Sequence, residues 1–176
     1  SYGSIEWRGV HFGQKAHSWR EFIDIPKRSR DAFAAALSIH PAESKDLKLL
    51  LDQGWKLLDP DELTATPDEY QDFIRRSRGE LAIAKSGYVK ANSGWFSDRS
   101  ICYLASGRPV LAQDTGLAAH LPLGEGLLAF STPDQLLQAL DQVNRFYPRH
   151  AAAARRLAES HFDSDQVLSR LLASLS

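Results

Sequence analysis

Short unbroken apolar runs and stripes of three- and four-residue spacing take turns along this chain. Residues 81–84, 109–112 and 127–130 are runs of the first kind, as buried parallel strands read, and Trp55-Lys56-Leu57-Leu58 is strand-like. The stripes predict helices. Leu47, Leu50 and Leu51 mark one over residues 42–54, with Gly54 as its stop. Others carry Tyr70, Phe73 and Ile74, then Ile101, Leu104 and Ala105, then Leu136, Leu137, Leu140 and Val143. Two more helices are predicted near residues 151–160 and 166–175, the last with Val167, Leu168, Leu171, Leu172 and Leu175 on one face. Trp19, Phe22 and Ile23 have helical spacing that stops at Pro26, and Pro148 breaks the helix before it. Residues 1–18 read as loop with a short strand near Ile5. Residues 31–40 stay open between helix and strand, because alanine favours helix while small apolar runs also suit buried strands.

The punctuation supports this division. Thr66-Pro67 with Glu69, and Thr132-Pro133 with Gln135, are capping boxes with proline at the first helical position. Ser97 suits the cap of the next helix, Gly107 the left-handed position after its end, and Pro109 cannot continue it. Strands alternating with helices imply crossover connections and a parallel sheet covered on both faces. Ligands bind such sheets at the strands' carboxyl ends.

Three loops are predicted at that edge: Asp59-Pro60, Lys85-Ser86-Gly87-Tyr88 and Gln113-Asp114-Thr115-Gly116. Residues 94–97 bring small side chains and exposed amides to the positive end of a helix, which suits a phosphate. Asp98 would repel that anion, with Arg99 beside it to offset the charge. Lys85, the helix terminus and nearby hydroxyls together suit a pyrophosphate and a ribose. Asp114 suits either a sugar hydroxyl or its own turn. Trp95 and Phe96 suit the wall of a base or sugar ring, or the core. The same loop residues also fit a plain turn and cap.

Composition narrows the classes. The chain has 176 residues, enough for one domain or half of a two-domain protein. Its formal net charge of -1 gives no bulk attraction for nucleic acid or an acidic membrane surface. No apolar run approaches a membrane span, no leader is visible, and the expected compartment is the cytoplasm. The lone Cys102 reads as a small core residue, and no Cys/His spacing suggests a metal. His120 and His150 read as structural or solvent-facing. Dinucleotide, Walker and nucleophile-elbow motifs are absent. The chain contains no methionine, so it is expected to be an excised piece.

The stretches SRGELAIAKSGYVKANSGWFSDRSICYLASGRPVLAQDTG, LPLGEGLLAF and HFDSDQVLSRLL resemble the C-terminal, donor-binding domain of GT-B glycosyltransferases, of the bacterial family-1 type and the CgeB-like group. The likeness covers residues 70–175 throughout and is looser before. It implies an α/β, Rossmann-like three-layer sandwich with a mostly parallel sheet, and makes residues 31–39 a strand. It implies that residues 1–176 are a single nucleotide-sugar-binding domain whose N-terminal acceptor domain is absent, with the first strand ending at Ser1-Tyr2. The implied partners are a nucleotide-diphosphate sugar, as substrate rather than cofactor, and that missing domain. Carried over, the diphosphate falls to Ser93, Gly94, Trp95, Phe96 and Ser97, with Lys85 or Arg99 as the basic contact and Lys15 where many members place a phosphate-binding lysine. Tyr88, Asp114, Thr115 and Gly116 fall to the ribose or sugar. Many retaining members carry two glutamates eight residues apart where this chain has Gly94 and Cys102, so no catalytic residue is assigned.

The expected function is the donor half of a glycosyltransferase, weakly binding and nearly inactive alone. The rivals are a non-catalytic nucleotide-binding module and a protein-interaction module that uses the C-terminal apolar stripe.

Overall fold

The computed structural model describes residues 3–40 and 42–175. The expected strand end at Ser1-Tyr2 lies outside them. Strands β1 (Ile5–Trp7) and β2 (Val10–Phe12) form an antiparallel hairpin, with Trp7 opposite Val10. Arg8 and Gly9 both have positive φ, 49° and 76°, as a two-residue primed turn requires. Helices α1 (Lys15–Glu21) and α2 (Ile25–Arg28) follow. Pro26 therefore lies in the first turn of α2 instead of ending the helix before it. That position needs no N–H from it.

Strand β3 (Ala34–Ala36), helix α3 (Ser44–Asp52) and strand β4 (Lys56–Leu58) form a parallel unit in which Ala34 pairs with Lys56. The alanine run is thus a strand. Tertiary burial of Ala35 and Phe33 with Trp55 overrides the helical preference. Helices α4 (Pro60–Leu63) and α5 (Pro67–Arg76) lead to β5 (Glu80–Ala82), α6 (Ser86–Lys90), α7 (Asp98–Ala105) and β6 (Val110–Gln113). A 3-10 turn at Leu117–Ala119 precedes β7 (Leu127–Phe130). Helices α8 (Pro133–Arg145), α9 (Tyr147–His161) and α10 (Ser164–Ala173) end the chain. Pro148 sits in the first turn of α9, so it opens that helix as much as it closes the one before. No helix of the described residues is long and apolar enough to cross a membrane.

The parallel strands form a two-stranded sheet and a three-stranded sheet in the order β5-β6-β7. Alternate residues of the larger sheet enter two cores. Ile83, Leu111, Leu128 and Phe130 pack with Phe22, Ile25 and Leu136, and Ala35 and Trp55 of the smaller sheet join the same core. Ala82, Val110, Ala112 and Leu127 face Ile74, Leu104, Ala154 and Leu157 on the other side. The result is a Rossmann-like α/β arrangement. Complete burial of a side chain such as Leu104 or Leu127 contributes about 1.5–3 kcal/mol. Both expected capping boxes are present, Thr66 with Glu69 and Thr132 with Gln135. Cys102, expected in the core, is exposed, because Ser100, Tyr103 and Leu104 form the buried face of α7 instead.

Small residues let α9 lie directly on the start of β7. A Cβ at Gly126 would come within 2.3 Å of the Ala154 backbone nitrogen, whereas one at Gly9 would meet nothing within 4 Å. The two glycines share a φ of 76°, so their substitutions differ in steric cost and not in backbone strain. Gly126→Ala is expected to destabilise the fold by at least about 2 kcal/mol more than Gly9→Ala, read from urea unfolding.

Candidate functional site

Parallel pairing puts the ends of β5 and β6 on one edge of the sheet. The chain leaving each strand there supplies the candidate residues. After β5, Lys85 stands at the N-cap of α6, so the predicted 85–88 loop is the start of a short helix. The Gly87 N–H donates to the Gly13 carbonyl (3.1 Å), and Lys90 Nζ donates to the His11 carbonyl (2.8 Å). These bonds bring the β2–α1 connection to the same edge. A Cβ at Gly13 would come within 2.7 Å of the His17 ring, so a larger residue there requires that ring to move.

Two hydrogen bonds join the loops before α7 and after β6. The Gly94 N–H donates to the Thr115 carbonyl (2.6 Å), and the Thr115 hydroxyl donates to the Trp95 carbonyl (2.7 Å). Thr115 is 1% exposed, which makes these bonds costly to leave unmade. Asp114 organises its own turn, its Oδ1 accepting from the amides of Gly116 (2.8 Å) and Leu117 (3.2 Å). Gly94 and Gly116 have φ of 70° and 91°; a Cβ would meet the His120 ring at 2.7 Å in the first case and Asn92 Oδ1 at 2.6 Å in the second. The Ser93 hydroxyl lies 3.4 Å from the Trp95 amide. Tyr88 stacks on Trp95 with ring centres 5.1 Å apart, and Lys85 Nζ lies 5.7 Å from the centre of the Tyr88 ring. Phe96 stacks on Phe162 beyond the end of α9, at 5.6 Å.

The first turn of α7 departs from expectation. Ser97 is buried, and its hydroxyl caps no amide. It donates to Asp98 Oδ1 (3.3 Å), which also accepts from the Arg99 amide (2.8 Å). A neighbouring carboxylate outcompetes the neutral hydroxyl for the positive helix end. The guanidinium of Arg99 turns away to Glu80, with Nε 2.5 Å from Oε1. Burial alone would depress Arg99, and the Glu80 carboxylate more than offsets it, holding the guanidinium above its ordinary range.

Lys15 completes the cluster. Its ammonium is pushed down to about 8, first by burial and then by repulsion from Arg99, with Glu80 partly opposing. Arg99 pairs with a carboxylate whose side chain is only 5% exposed, while Lys15 rests over the Trp19 ring, 5.6 Å from its centre, within the field of both. Tyr70 is pushed up to about 12, mainly by burial.

The structure therefore links Gly94 and Trp95 to Thr115 and Tyr88 to Trp95 and Lys85, while Ser93, Phe96 and Ser97 find partners elsewhere and Lys15 lies in the field of Arg99 without contacting it. Asp59 serves its own helix instead, its Oδ1 accepting from the Asp61 amide (2.9 Å). The sequence does not single out Glu80 or Asn92, and it offers Gly13 only weakly, as part of a Gly13-Gln14-Lys15 stretch able to approach a ligand. Glu80 left one signal, a carboxylate opening an otherwise apolar strand. Nothing in the sequence pairs Asn92 with Gly116 or Gly13 with α6.

No curated protein matches this chain. The glycosyl transferase-like family matches residues 27–173, from α2 to the last turn of α10, so Lys15 lies ahead of the matched region. With a Rossmann-like core, two loops locked together at one sheet edge and a family match over most of its length, this chain belongs to the glycosyl transferase-like family.

Proposed function

We propose that the chain is the donor-binding half of a glycosyltransferase, and that the edge at 94–97 and 114–116 receives a nucleotide-diphosphate sugar. The observation that carries this reading is the pair of bonds between Gly94, Trp95 and Thr115. It seats the loop before α7 against the turn after β6, in a chain of this family. The diphosphate lies at the first turn of α7, where amides that the helix itself cannot satisfy point outward. Lys15 supplies charge there, with Lys85 at the rim and Arg99 engaged by Glu80. The stacked Tyr88–Trp95 pair walls the base or sugar, and Asp114 offers Oδ2 to a hydroxyl. Catalysis in the whole protein then rests on positioning and on electrostatic stabilisation of the departing nucleotide diphosphate. The acceptor comes from a further domain, so the chain alone transfers little sugar.

Asp98 already occupies the helix terminus, so an incoming diphosphate competes with it. The exposed Leu168 and Leu171 on α10, each 55% exposed, favour a second reading in which the chain docks on another protein surface. Calorimetry with UDP, GDP and dTDP, with and without their sugars, separates the two.

Three outcomes are expected. Asp98→Asn tightens nucleotide binding several-fold by removing the resident anion, while Gly94→Ala weakens it at least about tenfold by forcing the loop off His120. Lys15 is charged below about pH 8 and neutral above, so nucleotide affinity falls as pH rises from 7 to 9. An arriving diphosphate raises the Lys15 pKa, so binding at pH 8 takes up roughly half a proton, and Lys15→Met abolishes the uptake. Calorimetry in two buffers of different ionisation enthalpy reads it. Absence of binding to every nucleotide, in the parent and in Asp98→Asn, would overturn the donor-site reading.

A further inference from the structure

Beside the start of β7, the loop at residues 122–125 and one side of α9 line an open-sided cavity of about 580 Å³. That is the size of a small-molecule site. No residue of the 94–97 or 114–116 loops lines it. Its apolar part is Pro122, Leu123, Phe146, Ala153 and Leu157.

His150 lines the cavity while being only 1% exposed. The Gly126 N–H donates to its Nδ1 (3.3 Å), and burial holds the imidazole below its ordinary range. The ring is therefore neutral with its proton on Nε2. That Nε2–H makes no hydrogen bond to the described residues and is not sealed from solvent, so it is open to an acceptor from the cavity.

Two arginines of α9 also line the cavity. Arg149 is neutralised by an ion pair with Glu125. The guanidinium of Arg156 makes no hydrogen bond or ion pair among the described residues. Glu125 feels both arginines, so the walls offer a net positive charge, one N–H donor and apolar surface between. His150 and Arg156 are six residues apart on one helix, about 9 Å along its axis.

We propose that this cavity binds an amphipathic organic carboxylate, with the carboxylate on Arg156, the apolar body on Leu123, Ala153 and Leu157, and a second oxygen accepting from His150 Nε2. Nothing in this reading depends on the nucleotide site. The span suits an eight-carbon chain with an oxygen at each end, and 8-hydroxyoctanoate is the probe.

Titration of the chain with 8-hydroxyoctanoate, followed by amide chemical shifts, tests it. Saturable binding at about millimolar concentration is expected, with the largest shifts at Gly124, Gly126 and residues 150–157. Arg156→Gln, at an exposed position, weakens it about tenfold and leaves the fold intact, and Arg156→Lys restores part of the loss. 1,8-Octanediol, which lacks the charge, binds about tenfold more weakly than 8-hydroxyoctanoate, and octanoate, which lacks the second oxygen, binds more weakly too. No saturation, equal binding of the diol, or indifference to Arg156→Gln overturns the proposal. So does a dimer that Arg156→Gln dissolves, because the cavity would then be the seat of a second protein chain.

Discussion

Everything at the candidate edge depends on two short hydrogen bonds, from the Gly94 amide to the Thr115 carbonyl and from the Thr115 hydroxyl to the Trp95 carbonyl. A loop that leaves a buried strand carries backbone groups that need partners. Here the loops before α7 and after β6 supply those partners to each other. Thr115 lies almost wholly out of water, so neither bond is readily exchanged for solvent. Glycine at 94 and 116 is what permits the approach. Positive φ and the nearness of His120 and Asn92 leave no room for a side chain.

The electrostatics of the edge are built from one buried carboxylate. Glu80 faces inward from the first position of β5 and draws the Arg99 guanidinium down to it. A buried carboxylate without such a partner would be strongly disfavoured. Arg99 in turn bears on Lys15, whose ammonium burial has already pushed down to about 8. A lysine that titrates this close to neutral pH is a responsive group, since a modest change in nearby charge alters its protonation. The negative side of the balance is Asp98, which occupies the α7 terminus in the place expected for Ser97. The edge is therefore balanced between two inward-drawn cations and a resident anion, and is not a bare cationic bowl.

Much of the frame was legible before any coordinate. Residues 127–130 were predicted as a strand and form one, and the capping boxes at Thr66 and Thr132 are made as spelled. These are local effects, in which neighbours a few positions apart decide the conformation. The misreadings arose where a residue had two local roles and distant packing chose between them. Pro26 was able to end one helix or begin the next, and the burial of Phe22 and Ile25 made it begin. Cys102 was beside the apolar stripe of α7, but α9 covers the neighbouring face, so the thiol points outward.

The sequence alone determined the alternation of strands and helices, the carboxyl edge of the strands as the place where a ligand is expected, and the membership of Gly94, Asp114 and Lys85 in that edge. Those follow from periodicity and from the handedness of crossover connections, which short-range chemistry controls. Tertiary structure decided the rest: Thr115 as the lock between loops, Glu80 as the anchor of Arg99, Lys15 brought from far upstream into their field, and a cavity along α9 with His150 in its wall. Each of these joins residues distant along the chain, and a charge or donor acquires its strength only when folding removes water from around it.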